Sequence, residues 1–150
     1  MKISVSLNGL RELKRKLKDD FSLKDLQPFW HSVGDFIKRQ TIKERFDKEQ
    51  SPDGVKWKPL SQSRIKQRKK RNKTGNMKIL QDTGELRRSI HFRADNNGVI
   101  IGSKLKYAAT HQFGRGKIPA RPYLGINELE KQHIRNLFRD YIKRHSFGGG

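Results

Sequence analysis

The chain contains no cysteine. That excludes a disulfide framework, a thiol nucleophile and a cysteine-ligated zinc site. Apolar residues are scarce, at 32% of 150 residues, against ~45–50% in ordinary globular domains. No apolar run approaches the ~18 residues of a membrane span. Met1–Leu7 lacks the continuous apolar stretch of a secretory leader. A soluble, cytoplasmically made protein is expected, with a small core or one completed in an assembly. The five histidines, His31, His91, His111, His133 and His145, form no i, i+4 metal pair. Gly114-Arg115-Gly116-Lys117 lacks the spacing and the Ser or Thr of a phosphate-binding loop. With no catalytic motif, no metal set and no cofactor site, the expected class is non-enzymatic.

Positive charge is what the chain has in excess. Lys and Arg number 35 against 15 acidic residues, a net +20. Residues 51–81 carry ten basic residues and only Asp53 as an acid, and residues 103–123 carry five basic and none acidic. Such segments favour polyanions or acidic partners. Between Arg64 and Lys78, eight of fifteen residues are basic: Arg64, Lys66, Arg68, Lys69, Lys70, Arg71, Lys73 and Lys78. Beyond a short helix capped by Ser61 and running towards Lys69, this stretch reads as a flexible loop, either meeting DNA or a partner or simply solubilising the chain. It lacks the interleaved aromatics that stack on single strands.

Hydrophobic periodicity supplies the rest. Ile3, Val5 and Leu7 alternate as a strand. Leu10, Leu13 and Leu17 mark a short basic helix. Phe29, Trp30, Val33, Phe36 and Ile37 form one stripe, predicting a long helix over Pro28–Glu49 whose apolar face is core. Ser51-Pro52-Asp53-Gly54 is a turn. Asp82 or Thr83 can cap a single helical turn through Leu86. Ile90, Phe92 and Ala94, then Asn96-Asn97-Gly98, then Val99-Ile100-Ile101 predict a β-hairpin. A short helix near Tyr107, Ala108 and His111 ends at Gly114, with Phe113 read as a packing anchor. Pro119 and Pro122 argue against a central strand and leave an extended edge segment, and Arg121 between them is expected to point outward or enter a salt bridge. Asn127 and Glu130 have the spacing of a capping box, opening a helix with Leu129, Ile134, Leu137, Phe138, Tyr141 and Ile142 on one face. The whole reads as α+β: a small antiparallel sheet packed by two longer helices, in one domain over 1–150, with a flexible tail at 146–150.

The order of certain segments is more distinctive than any one of them. Pro52-Asp53-Gly54 with Trp57-Lys58-Pro59-Leu60 is followed by Leu80-Gln81-Asp82-Thr83-Gly84-Glu85-Leu86 with Ser89-Ile90. Ile101-Gly102-Ser103, Tyr107-Ala108, His111-Gln112-Phe113-Gly114 and Ile118-Pro119-Ala120-Arg121-Pro122-Tyr123-Leu124-Gly125 complete the series. In this the chain resembles the phage virion morphogenesis family, the Mu-like tail-completion and head–tail joining proteins, over about residues 28–143. The resemblance implies a non-enzymatic virion component acting in tail completion or head–tail joining. It would oligomerise, in a ring matching the six-fold tail, with other tail or neck proteins as partners. Its places would be the virion and, during assembly, the host cytoplasm. A ring around a DNA channel would account for the basic loop, and closing a ring head-to-tail needs heterologous patches. Trp57, Ile118, Pro119, Arg121, Pro122 and Tyr123 are the interface candidates. The rival reading is a small basic nucleic-acid-binding protein or RNA-cleaving toxin.

Overall fold

The computed structural model describes residues 2–5, 25–71 and 76–146. The elements in chain order are β1 (Lys2–Val5), α1 (Gln27–Gln40), α2 (Gln62–Arg71), α3 (Glu85–Arg88), β2 (His91–Ala94), β3 (Val99–Gly102), α4 (Ala108–Phe113) and α5 (Glu128–Ser146). The three strands form one sheet in the order β1-β3-β2. The fold class is α+β, as expected. The helix expected over Leu10–Leu17 lies outside the described residues. Among the described residues, no helix is long and apolar enough to cross a membrane.

The chain divides into two compact units. One comprises Lys2–Lys38, Phe92–Ile101 and Ile126–Gly150, and the other Arg39–His91 and Gly102–Gly125. The first is a helix–sheet unit. Phe29, Trp30, Val33 and Ile37 are buried on one face of α1, the stripe that periodicity predicted. Phe29 meets Phe138 of α5 edge-on at 5.1 Å. Phe92 of β2 lies so close to α1 that a Cβ at Gly34 would fall 2.3 Å from its ring, so only glycine fits there without displacement. The hairpin turns at Asn96–Gly98, closed by a bond from Asp95 N–H to Gly98 O at 3.0 Å. Asn127 and Glu130 make both reciprocal bonds of the capping box, at 3.0 and 2.9 Å. One expected member of the α5 face is elsewhere: Leu129 is 82% exposed. It occupies the first turn of α5, while the buried pair, Ile134 and Phe138, are spaced i, i+4 further along.

The second unit is built largely from loops. After Gln40 the helix widens into a π-helical segment, Thr41–Phe46, with i−5 bonds from Asp47 N–H to Ile42 O and from Gln50 N–H to Arg45 O. The expected helix to Glu49 therefore changes winding before it ends. Ser51–Gly54 turns as predicted, with Gly54 N–H bonded to Ser51 O at 2.9 Å. Ser61 caps α2, accepting from Arg64 N–H at 3.3 Å. Neither Asp82 nor Thr83 is the residue preceding α3; that is Gly84, at φ 73°, with Thr83 Oγ1 accepting from Glu85 N–H at 3.3 Å.

Candidate partner-binding cleft

The short helix expected from Ser61 towards Lys69 is α2, which runs on to Arg71. The flexible loop expected over 64–78 is therefore helical as far as Arg71, and Lys73 lies outside the described residues. The helix sorts its two kinds of cation. Arg64, Arg68 and Arg71, at i, i+4 and i+7, all engage Asp82: Arg64 and Arg68 at 3.7 Å, and Arg71 in direct contact. Lys66, Lys69 and Lys70 are exposed, and so is Lys78. The chemistry fits the sorting, because a guanidinium forks onto carboxylates and carbonyls, whereas an ammonium is strongly hydrated. Arg68 is buried and donates to the carbonyls of Asn76, at 3.2 Å, and Lys78, at 2.7 Å. Burial lowers its pKa, with Asp82 opposing and Arg64 and Arg71 adding to the effect. The hydrogen bond from Arg71 holds the Asp82 carboxyl below the usual carboxylate range, against desolvation and helped by the charge of Arg68.

A second buried arginine replaces the outward or salt-bridged Arg121 expected from sequence. Its Nε donates to Lys58 O at 2.8 Å and its Nη2 to Pro59 O at 2.9 Å. Two main-chain carbonyls of irregular chain are satisfied by one side chain, as buried polar groups require. Trp57 is buried beside this point and donates from its indole to Pro122 O at 2.8 Å. Tyr123 is fully buried, its hydroxyl donating to Ala108 O at 2.9 Å. Of the interface candidates, Trp57, Arg121 and Tyr123 are thus core residues; Pro119 and Pro122 are half-buried; Ile118 is 43% exposed.

In the His111-Gln112-Phe113-Gly114 segment Gly114 is the C-cap of α4, as expected, but Phe113 is not the packing anchor. Phe113 is 67% exposed. The buried member is Gln112. Its Oε1 accepts from Tyr123 N–H and Leu124 N–H, each at 3.0 Å, and its Nε2 donates to Leu124 O at 2.9 Å. Gln81 does similar work, donating to Phe46 O at 2.8 Å and accepting from Arg87 at 3.1 Å. Sequence reasoning missed both glutamines. The available signal was a lone uncharged amide inside each distinctive segment, able to hold a main-chain donor and acceptor at once.

These elements enclose a cleft of about 1040 Å³, with Arg64, Arg68, His111, Lys117, Ile118 and Arg121 among its lining residues. Two carboxylates also face it, Asp82 and Glu85. Asp82 is held by three arginines, and Glu85 accepts from Tyr107 Oη at 2.8 Å. Burial, with that hydrogen bond, pushes the Tyr107 phenol up to about 12. His111 is shifted the other way. Burial lowers its pKa, and the charges of Arg121 and Arg64 lower it further. The cleft is therefore electropositive with an apolar component. Among the described residues no cluster of three His, Asp or Glu is placed to hold a metal ion.

The distinctive segments Trp57–Leu60, Leu80–Leu86, Tyr107–Gly114 and Ile118–Gly125 meet in this unit. A family model, that of the phage virion morphogenesis family, matches residues 5–143. The chain belongs to this family. It is 37% identical over 94 residues to Mu-like prophage FluMu G protein 1 of Haemophilus influenzae, covering 61% of this chain and 63% of that protein. It is 39% identical over 71 residues to FluMu G protein 2 of the same organism, covering 43% and 51%. It is 31% identical over 111 residues to "Putative capsid assembly protein G" of Escherichia phage Mu, covering 68% and 70%. The chain thus spans 63% and 51% of the two Haemophilus proteins it matches. No solved structure matches it.

Proposed function

We propose that this chain is a non-enzymatic assembly protein of a tailed phage or prophage. It acts in tail completion or head–tail joining, as an oligomeric ring near the DNA channel. The observation that carries the reading is the family match over residues 5–143. Two features are in keeping with it. The polar side chains of the distinctive segments, Arg121, Gln112, Gln81 and Trp57, are spent on main-chain groups, the use a scaffold makes of them. Large apolar side chains stand on the surface of the same unit, notably Phe113 and Ile118, and exposed apolar patches mark association surfaces. The exposed lysines Lys66, Lys69 and Lys70 give α2 a face suited to phosphate. Each phosphate contact contributes about 0.9 to the slope of log affinity against log salt.

Deleting the coding sequence from an inducible prophage tests the assembly reading. Complementation by the intact chain should restore infectious particles, and the deletion should leave unjoined heads and tails under the electron microscope. Normal particle yield from the deletion would overturn it. Replacing Lys66, Lys69 and Lys70 with Ser should flatten the salt slope for a DNA duplex by up to about 2.7, at ~0.9 per contact. An unchanged slope removes DNA from the role of this face.

A further inference from the structure

The cleft holds more positive charge than the chain neutralises. Lys58, Arg64, Arg68, Lys117 and Arg121 line it, and both of its carboxylates are engaged within the chain. His111, half-buried at the same place, has an Nδ1 that is out of contact with solvent and without a hydrogen-bond partner among the described residues. Burial chiefly lowers its pKa; the charges that add to this are those of Arg121 and Arg64, and the Tyr107 ring, just before its helix, lies at 5.7 Å. Every charge among these is positive.

The rim adds a second kind of complementarity. Tyr107 and Ile118, which line the cleft, are 40% and 43% exposed, and Phe113 is 67% exposed on the adjoining chain. This rim is rigid. Arg115 and Ile118 exchange both main-chain bonds, at 3.0 and 2.9 Å. Gly114 is at φ 75°, and a Cβ there would fall 2.8 Å from Ala120 N and 2.9 Å from Ile118 O. A rigid surface loses little entropy when a partner settles on it. The volume, about 1040 Å³, is at the upper end of the ~300–1,000 Å³ of small-molecule sites and accommodates several residues of chain.

We propose that this cleft and its Phe113–Ile118 rim hold an extended acidic segment of a partner protein. Carboxylates of that segment pair with Lys58, Arg64 and Lys117, and its apolar side chains rest on Tyr107, Phe113 and Ile118. Charge complementarity decides the occupant. A second copy meeting the cleft through its own residues 103–123 brings no acidic residue, so that pairing repels, and a ring of copies closes through other surfaces. A nucleic-acid duplex supplies the negative charge, but its bases are stacked within the helix and leave nothing for the Phe113 and Ile118 side chains. The inference rests on the assembly reading only in placing the partner among virion proteins.

The test uses the full chain and fluorescence anisotropy. The probes are a short synthetic peptide alternating glutamate and leucine, its glutamine-for-glutamate counterpart, and a short DNA duplex. The glutamate peptide should bind, and the glutamine peptide should bind at least about tenfold more weakly. Ile118→Asp and Lys117→Glu, both at exposed positions, should each weaken the glutamate peptide by about tenfold, the scale of one good contact. Bound carboxylates should raise the His111 pKa, read by NMR, because a nearby negative charge favours the imidazolium. Four results would overturn the proposal: equal binding of both peptides, indifference to both substitutions, DNA that displaces the peptide and is itself weakened by Ile118→Asp, or self-association abolished by Ile118→Asp. A negative peptide result leaves the particle-yield experiment untouched, so the two readings fail separately.

Discussion

The helix–sheet unit and the loop unit finish their cores in different ways. In the first, Phe29, Val33, Ile37, Val99, Ile101, Ile134 and Phe138 pack as apolar surface, and Glu130 of the capping box is the one buried charged residue among the described residues there. In the second, Phe46, Trp57, Leu86, Ile90 and Tyr123 share the interior with Thr41, Arg45, Arg68, Gln81, Ser103, Gln112 and Arg121. The cause is the backbone. Helix and sheet satisfy their own N–H and C=O groups, so their neighbours can be purely apolar. Irregular chain leaves carbonyls pointing inward, and each needs a donor. Arg45 reaches Gly125 O, and also Gln40 O where α1 gives way to the wider turns. Arg68 reaches Asn76 O and Lys78 O. Arg121 reaches Lys58 O and Pro59 O. A chain only 32% apolar closes its loop unit partly with guanidinium.

The largest effect expected is at Trp57. Trp57→Ala should destabilise the loop unit by about 3–5 kcal/mol, the usual cost of emptying a buried aromatic site, measured by urea unfolding. A loss below ~1 kcal/mol would show that its burial counts for little. Arg121→Lys separates charge from geometry, because it keeps the cation and removes the fork. It should cost about 2–3 kcal/mol, the range for hydrogen bonds to charged groups. A neutral result would mean that the fork does not hold Lys58 and Pro59. In the helix–sheet unit the sensitive point is steric. Gly34→Ala should cost about 1–3 kcal/mol through overpacking against Phe92, and Phe92→Ala should relieve it in the double variant. Phe113→Ser, at an exposed position, should stay within about 0.5 kcal/mol.

Acid should act on the loop unit in two windows. His111 has a lowered pKa in the fold, so the unfolded chain takes the proton first as pH falls. Its contribution is complete above ~6.5 and declines below that value until the folded imidazole protonates too. Asp82 is also lowered, and its contribution is complete above ~3.9 and lost as pH falls through the depressed folded value. His111→Gln should remove the upper window and Asp82→Asn the lower, in stability measured against pH. Unchanged profiles would mean that neither group senses folding.

Legibility in the sequence follows the same division. The α1 stripe, the Asn96–Gly98 turn and the Asn127–Glu130 box were readable because their partners lie within a few residues or on one periodic face. Arg68, Arg121 and Gln112 were not, because a polar side chain's fate depends on carbonyls supplied from elsewhere in the chain. Arg121 and Lys58 are 63 residues apart. Phe113 was misplaced for the converse reason: an aromatic residue next to buried Gln112 carries no mark of which side chain turns inward. The alternation of Arg and Lys across 64–71 is a readable signal, since Arg64, Arg68 and Arg71 recur on one helical face and Lys66, Lys69 and Lys70 on the opposite one.

The reach of those bonds also sets when the unit can form. Trp57 finds its acceptor at Pro122, 65 residues later, and Arg45 finds Gly125, 80 residues later. Contacts so distant close slowly, because loop entropy is lost before they reward it. On the ribosome, the bed for Trp57 does not exist until residue 123 has emerged, whereas α1 can wind as soon as it is made. In a Trp30→Phe background, Trp57 fluorescence would therefore record the last closing step of folding, and a chain halted before Arg121 would present the Lys58 and Pro59 carbonyls without the donor that later covers them.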